Sequence, residues 1–424
     1  MATTSAAVTA SNPPSTSSPA PPPPSLPPPA PKILLAKPPG AGPAAFARDD
    51  DSTSAAASSS VAARSRVPSI GSLNLLSDSW DFHPDRILPF LTENTDFTVI
   101  GVIGPPGVGK STILNELYGF DGSSPSMLPP FATQSEETKL MAKHCTVGIE
   151  LRVSAERFIL VDAQPVSSPS VLVEMMRPDG SSSVPVISGE SMSADLAHEL
   201  MGIQLGVFLA SVCHVLLVVS DEVNDSSMWN LMSTVDLLKH AIPDPSLLTS
   251  SNSQGSNPAL EKEIKDNVWA TKEEFLATPV FVFTKLRDQE LSPASLSLLK
   301  KALSHYLSSS SFSGTKHGNM TRMGNNSCAS IESKSDCSDP VGPNLFLLPT
   351  KSLDDSQRAQ YESYVSMMGQ LRDQILSMNY RPFSKPVSER DWLKNSARIW
   401  ELVKKSPTIA DYSRMLQNSG LFRR

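Results

Sequence analysis

The chain has 424 residues, 37 of them proline, and a formal net charge of −7. A chain of this length is long enough for one large or two ordinary domains, but one so rich in proline and serine does not pack throughout. The acidic balance disfavours direct nucleic-acid binding, because it leaves no broad basic face to release counterions from phosphates.

Residues 1–66 are mainly Pro, Ala, Ser and Thr, with few large apolar side chains. Burial cannot repay the entropy of ordering such a segment, so we expect a disordered tail with polyproline II stretches. A docking strip for an SH3-like or WW-like groove is the alternative. The chain begins without the pattern of a signal peptide.

A membrane span and a cysteine-ligated metal site are not expected in the sequence. The longest apolar run, "LGVFLASVCHVLLVV" at residues 205–219, is shorter than the roughly 18 residues that span a bilayer. It predicts a buried helix end that leads into a strand. The four cysteines lack metal-ligand spacing and fit a reducing compartment: Cys145, Cys213, Cys328 and Cys337. We expect a cytoplasmic protein, with the nucleus left open.

Apolar runs after the tail alternate with segments of helical spacing. "DFTVIGVIG" predicts a strand, and "KSTILNELYG" predicts a helix that ends at Gly119. "CTVGIELRVS" and "ERFILVDAQP" predict an antiparallel hairpin, and three further runs predict strands: "HVLLVVSD", "TPVFVFTKLRD" and "PNLFLLPTKS". Six strands with intervening helices indicate an α/β fold with a mainly parallel sheet and one antiparallel edge strand.

The predicted domain covers residues 67–378, with polar surface insertions at about 244–262 and 307–340, which are too long for ordinary connections. "SQRAQYESYVSMMGQLRDQILSM" predicts a long amphipathic helix at its end. Residues 379–424 are predicted to form a C-terminal helical extension. It consists of a Pro-punctuated linker followed by helical sequence that opens with a capping-box pattern at Ser388 and Asp391. The extension carries an apolar stripe made of Trp392, Ile399, Trp400 and Val403. This stripe packs back on the domain, or its tryptophans anchor a partner.

Residues 104–111, "GPPGVGKS", match the phosphate-loop pattern G-x-x-x-x-G-K-[ST] between a predicted strand and a predicted helix. Its glycines let backbone N–H groups converge on phosphate oxygens at a helix N-terminus. Lys110 supplies a charge for the phosphates, and the Ser111 hydroxyl is a ligand for Mg²⁺. The predicted nucleotide-binding residues of the loop are Gly104, Gly107, Val108, Gly109, Lys110, Ser111 and Thr112.

Asp162 ends the run "RFILVD" and is the second predicted Mg²⁺ residue, directly or through water. Switching GTPases continue this acid as D-x-x-G, with a glycine N–H that senses the γ-phosphate. Here the fourth residue is Pro165, which has no N–H. Gln164 orients water or is a polar loop residue. The Mg²⁺-covering threonine is left open among Thr133, Thr138 and Thr146.

Base selection stays open between GTP or GDP and ATP. "TKLRD" at residues 284–288 has the Thr-Lys of the guanine motif [NT]-K-x-D but places Asp288 one residue late. Read as "LRD", it resembles the R-D variant of the guanylate-binding and atlastin GTPases. Asp288 therefore contacts a guanine edge or is a solvated loop acid.

Several stretches together carry a resemblance: "VIGPPGVGKSTILNEL", "HCTVGIEL", "ILVDAQPVSSPSVL", "SVCHVLLVVSD", "NLFLLP" and, most specifically, "WLKNSARIWELVKKSPTIADYSRML". The sequence resembles the family of the nonsense-mediated mRNA decay factor SMG, member nine, over most of residues 96–417 outside the insertions. The "DAQP" departure matches that family's own D-x-Q-P pattern.

The resemblance implies a GTPase-like domain that pairs with the related SMG member eight. The pair would then bind the phosphatidylinositol-3-kinase-like kinase of the decay pathway and tune its phosphorylation of the up-frameshift RNA helicase. Such a subunit holds nucleotide for structure rather than turnover. The competing hypothesis is a switching GTPase or ATPase whose hydrolysis times partner release. A nucleotide or metabolite kinase is disfavoured by the lack of an evident Arg-rich lid.

Overall fold

The computed structural model describes residues 73–77, 80–120, 128–176, 192–252, 275–312, 343–351 and 362–420. The predicted tail, Cys328, Cys337 and the start of the long helix before residue 362 lie outside these ranges. The described chain contains a seven-stranded sheet. Its strands are β1 (Asn74–Leu76), β2 (Thr98–Ile103), β3 (Ile149–Val153), β4 (Phe158–Ala163), β5 (Val215–Ser220), β6 (Thr278–Leu286) and β7 (Asn344–Pro349).

The strand order is β1-β3-β4-β2-β5-β6-β7. Strands β4, β2, β5, β6 and β7 run parallel, and β3 pairs antiparallel with β4. The predicted α/β class and the predicted hairpin are both confirmed. The antiparallel edge, however, has two strands, since β1 pairs antiparallel with β3. Sequence reasoning missed β1 because three residues are too few to establish a period of two.

Nine α-helices are described. The first six lie between strands, and the last three follow β7. The helices are α1 (Lys110–Tyr118), α2 (Glu136–Leu140), α3 (Pro169–Met175), α4 (Ala194–Val212), α5 (Ser226–Leu238), α6 (Pro293–Tyr306), α7 (Tyr364–Ser377), α8 (Glu389–Lys404) and α9 (Pro407–Asn418). Helix α1 ends at Gly119, which has a φ of 89°, as predicted. Helix α4 leads into β5, so the apolar run at 205–219 is a buried helix end and a strand, also as predicted.

Two apolar cores lie on the two faces of the sheet. Because successive strand residues point to opposite faces, Val99 and Ile103 of β2 enter one core while Ile100 and Val102 enter the other. The first core includes α4, α5 and α8, and the second includes α1 and α7. Because both faces of the sheet are buried, the sequence of each parallel strand is a continuous apolar run and does not alternate between apolar and polar residues.

The predicted C-terminal stripe packs back on the domain. Trp392, Ile399, Trp400 and Val403 are all at most 1% exposed. The indole Nε1 of Trp392 donates to the carbonyl of Val212 at 2.8 Å, at the end of α4. Both tryptophans are therefore used inside this chain and do not anchor a partner in this conformation.

The predicted insertions at 244–262 and 307–340 begin too early. Asp244 and Ser246 are buried, and Asp244 accepts hydrogen bonds from the backbone and side chain of Ser384 at 2.8 and 2.7 Å. Leu307 and Phe312 belong to the core. The composition of these stretches is mostly polar, as in a surface loop. It does not show that a few of their residues are buried. The remainder of both insertions, residues 253–274 and 313–342, lies outside the described ranges.

Across the described ranges, no helix combines the length and the apolar character that crossing a membrane requires.

Candidate functional site

The phosphate loop joins the central strand β2 to α1, at the edge where the parallel strands end. Gly107 and Gly109 have φ values of 77° and 96°, a region that favours glycine. At Gly104 an added Cβ would lie 2.2 Å from the carbonyl oxygen of Val219, so a side chain does not fit there. Backbone conformation and lack of space therefore require glycine at these three positions, even without a bound ligand.

Lys110, the first residue of α1, is buried beside the loop. Its Nζ donates to the carbonyl oxygens of Gly104 at 3.0 Å and Pro105 at 2.8 Å. Burial lowers the pKa of Lys110 to about 8, and the Asp162 carboxylate acts in the opposite direction. The lysine is thus held as a poorly solvated cation, which an anionic ligand would stabilise.

Asp162, near the end of β4, is completely buried next to the loop. Its Oδ2 accepts hydrogen bonds from Ser111 Oγ at 2.7 Å and from Thr146 Oγ1 at 2.9 Å. Its Oδ1 is buried without a hydrogen-bond partner among the described residues. Burial raises the pKa of Asp162, while Lys110 and the two hydroxyls oppose that rise. An unpaired buried carboxylate oxygen is a costly feature that a cation would relieve.

Of the three threonines that the sequence left open, Thr146 is the one that lies beside Asp162. Thr146 is 6% exposed and donates to Asp162. Thr133 is exposed, and Thr138 hydrogen-bonds within α2, where its Oγ1 donates to the carbonyl of Ser135. The sequence could not decide because all three follow the loop at comparable distances.

Gln164 does not face the loop as a water-orienting side chain. It is buried, its Oε1 accepts from the Gly148 N–H at 2.9 Å, and its Nε2 lies 3.4 Å from the sulfur of Met201. Two residues on, the Val166 N–H donates to the carbonyl of Gly104 at 3.2 Å. The segment after β4 is therefore tied to β3 and to the phosphate loop by hydrogen bonds.

The end of β6 also touches the phosphate loop. Thr284 Oγ1 donates to the carbonyl of Val108 at 2.7 Å, a contact that sequence reasoning did not specify although it noted the Thr-Lys pair. Lys285 pairs with Asp221 at 3.0 Å. Asp288 lies on an exposed turn after β6, and Thr112 is a partly exposed residue in the first turn of α1. The structure thus leaves both descriptions of Asp288 open.

The order of the parallel strands, the phosphate loop after the central strand and the acid on the neighbouring strand define a domain of the P-loop GTPase-like class. Val102 of β2 lies opposite Asp162 of β4 in the parallel register, so the sheet itself places the acid beside the loop.

Proteins called nonsense-mediated mRNA decay factor SMG9 are similar to this chain. The Xenopus laevis protein is 28% identical over 360 residues, which cover 78% of this chain and 64% of the frog protein. The Salmo salar protein is 28% identical over 364 residues, covering 81% of this chain and 67% of that one. The chain is thus similar to the SMG9 proteins over most of its length, and the resemblance seen in its sequence is confirmed. It spans less than two thirds of the frog protein's length.

Solved structures with a similar arrangement include a bacterial selenocysteine-specific elongation factor, with a TM-score of 0.28, 11% identity and coverage of 67% of this chain and 29% of the other. The Saccharomyces cerevisiae Ski7 GTPase-like domain bound to GTP gives a TM-score of 0.28, 12% identity and coverage of 67% and 51%. No protein-family model matches the chain. The class assignment above depends on the strand order and the loop of this chain.

Proposed function

We propose that this protein is a nucleotide-binding, GTPase-like regulatory subunit of the nonsense-mediated mRNA decay kinase complex. The observation that carries nucleotide binding is the set of groups around the phosphate loop: a buried ammonium, two hydroxyls and a buried carboxylate with one unpaired oxygen. Lys110, Ser111, Thr146 and Asp162 provide them.

The residues present fit a nucleoside phosphate with Mg²⁺. The glycine-lined loop and the first turn of α1 offer backbone N–H groups for phosphates, since the first N–H groups of a helix lack intrahelical partners. Lys110 would balance phosphate charge, while Ser111 and Asp162 would hold Mg²⁺ directly or through water. A bound Mg²⁺ supplies positive charge to the phosphate oxygens. Asp288 is the candidate for a guanine contact, with ATP as the alternative ligand.

The regulatory assignment comes from the similarity to the SMG9 proteins. We propose that the domain pairs with SMG member eight through the GTPase-like domains. The pair would bind the phosphatidylinositol-3-kinase-like kinase and modulate its phosphorylation of the up-frameshift helicase. A cytoplasmic site of action, extending to the nucleus, is part of the same proposal.

The contacts that hold Gln164 favour a slow or inactive nucleotide-binding protein over a switching enzyme. Pro165 has no N–H to offer a γ-phosphate, and the Gln164 side chain is occupied by Gly148 and Met201. We expect a segment held in this way to keep the same contacts in the different states of the nucleotide. The expected role of the nucleotide is to stabilise the domain as a binding partner.

The first test is to denature the purified protein, separate released nucleotides by ion-exchange chromatography, and follow phosphate release from the intact protein over hours. We expect stoichiometric nucleotide without turnover, which would also identify the base. An empty protein that takes up neither GDP nor ADP would refute nucleotide binding, and repeated turnover would support the switching enzyme.

Partner binding is tested by co-purification with SMG member eight. We expect Lys110→Ala to lose nucleotide and to recover less partner. Normal recovery by a nucleotide-free variant would contradict a structural role for the nucleotide.

A further inference from the structure

We propose that His144 is a positioning residue that clamps the connection between α2 and β3 to α3, and so holds the Thr146 hydroxyl at the Asp162 carboxylate. The inference rests on the proposed function, since it assigns a role within the same site. It concerns a residue outside the phosphate-loop motif, two positions before Thr146.

Both ring nitrogens of His144 contact α3. The side chain is 4% exposed, and its Nδ1 lies 2.9 Å from Ser170 Oγ. Its Nε2 lies 3.6 Å from Glu174 Oε2, one turn further along the same helix. Two contacts from one planar ring to one helix fix the orientation of the ring as well as its position.

The helix that receives His144 is itself supported by the core. Ser168 Oγ lies 2.9 Å from Ser170 Oγ, and the Ser168 N–H donates to His198 Nε2 at 3.2 Å. His198 belongs to α4, most of which is buried under the sheet. The clamp on His144 is therefore connected to one of the least exposed helices of the domain.

A second anchor lies just beyond Thr146. The Gly148 N–H donates to Gln164 Oε1 at 2.9 Å, and the Gln164 N–H donates to the Gly148 carbonyl at 2.8 Å. Three residues separate this anchor from His144. Because each residue extends the chain by at most about 3.6 Å, a span this short leaves the Thr146 hydroxyl little freedom.

Helix α2, on the other side of His144, gives little support. The Lys143 N–H donates to the Thr138 carbonyl and the Gln134 side chain donates to the Lys143 carbonyl, so these hydrogen bonds stay within the segment. Leu140, the last residue of the helix, is 88% exposed. Without the clamp, the chain preceding Thr146 would be joined to an exposed helix.

The test compares His144→Ala and Ser170→Ala with His305→Ala in the purified full chain. The serine variant removes only a hydroxyl, which keeps the test valid if the alanine at 144 prevents folding. The His305→Ala control removes an exposed histidine on α6 and leaves the contacts among His144, Ser168 and Ser170 in place.

Affinities for fluorescent GDP and ADP are measured in excess Mg²⁺ and in EDTA. We expect both clamp variants to reduce the Mg²⁺-dependent gain in affinity by about three- to tenfold, the scale of one lost hydrogen bond. Affinity in EDTA should remain at the wild-type value, and the control should keep the full gain. Amide hydrogen exchange of Thr146 and Val147 in the ligand-free protein should be faster in the clamp variants.

The inference is overturned if either the Mg²⁺-dependent gain or the exchange rate stays at the wild-type value in both clamp variants. An equal loss of affinity in EDTA would also overturn it, because that would be a general loss of structure. If the wild-type protein binds neither nucleotide, the proposed function fails, and the exchange rates alone decide whether His144 positions Thr146.

Discussion

Lys110 and Asp162 are buried together, and burial shifts the pKa of each toward its uncharged form. The charge of each group opposes the pKa shift of the other. The cost of burying these charges is not fully compensated, because one oxygen of Asp162 has no hydrogen-bond partner among the described residues. The ligand-free domain thus carries an electrostatic cost at this point of the phosphate loop. A ligand with phosphates and a divalent cation would remove it, because it brings opposite charges to both groups.

Replacing Lys110 by Met should therefore separate stability from binding. We expect the free energy of unfolding of the ligand-free protein to change little, because removal of a poorly solvated cation and loss of its attraction to the Asp162 carboxylate oppose each other. The stabilisation by nucleotide, about 2.7 kcal/mol at a hundred times the dissociation constant, should disappear. Urea unfolding with and without nucleotide measures both, with exposed Lys300→Met as control. A large loss of stability without nucleotide would contradict this account.

His214 offers a test of pH dependence away from the phosphate loop. It is buried among aromatic rings, and its Nδ1 accepts the N–H of Val99 at 3.0 Å. Burial lowers the pKa of His214 to about 4, against an opposing effect of Asp244. A folded-state pKa below the unfolded value means that acid favours unfolding. The penalty begins as pH falls below about 6.5 and levels off below about pH 4.

We expect this histidine to reduce the free energy of unfolding by about 2 to 3 kcal/mol between pH 7.5 and pH 4.5. The variant His214→Asn keeps an acceptor for Val99 but does not titrate. It should be less stable at neutral pH, owing to lost packing, yet lose less stability on acidification. Urea unfolding at the two pH values measures the difference. Parallel losses in variant and wild type would show that His214 does not titrate as inferred.

Strand β1 depends on one close backbone approach. Gly148, just before β3, has a φ of 62°, and an added Cβ would lie 2.0 Å from the carbonyl oxygen of Leu76. The glycine lets the last residue of β1 reach the sheet, and its N–H and carbonyl also bond Gln164. The second antiparallel strand and the anchor beyond Thr146 therefore share one position.

Gly148→Ala should destabilise the domain by about 2 kcal/mol or more, because it combines a disfavoured φ with a backbone clash. Gly369→Ala is the matched control: Gly369 lies within α7 with open space around it, so alanine should stabilise by about 0.5 to 1 kcal/mol. Chemical denaturation of both variants gives the comparison. Similar small effects would mean that β1 does not require the close approach.

At the scale of the whole molecule, the C-terminal helices complete the core. Trp400 stacks on Trp80 with ring centroids 5.7 Å apart and donates its indole N–H to the Trp80 carbonyl at 3.1 Å. The buried Glu389 at the start of α8 accepts from the backbone N–H of Thr92 at 2.7 Å and pairs with Arg157 in the β3–β4 turn. The described chain thus joins residues far apart in sequence into one packed body.

Deleting residues 379–424 should prevent cooperative folding. The deletion would expose the end of α4 and the aromatic cluster around Trp80, and loss of even one buried tryptophan costs about 3 to 5 kcal/mol. Circular dichroism during thermal unfolding, with the full chain in parallel, measures the outcome. A truncated chain that melts cooperatively near the wild-type temperature would show that the helices are an added extension.

Local sequence patterns were sufficient for the features that depend on neighbouring residues. The phosphate loop, the helix that ends at Gly119, the hairpin and the apolar parallel strands each follow from backbone freedom or burial along a single segment. Asp162 could also be placed, since an acid at the end of an apolar run lies at the end of a strand. These elements together predicted the fold class, which the strand order confirms, and named the residues of the candidate site.

Other features depended on which distant segments meet in the folded chain. Thr146 rather than Thr133 or Thr138 reaches Asp162 because β3 turns back beside β4. Gln164 is engaged by Gly148, and His144 by α3, through contacts that no spacing along the chain encodes. The burial of Asp244 and of both C-terminal tryptophans likewise comes from contacts between the C-terminal segment and earlier parts of the chain. A side chain's type is local information, whereas its partner is decided by the packing of the whole domain.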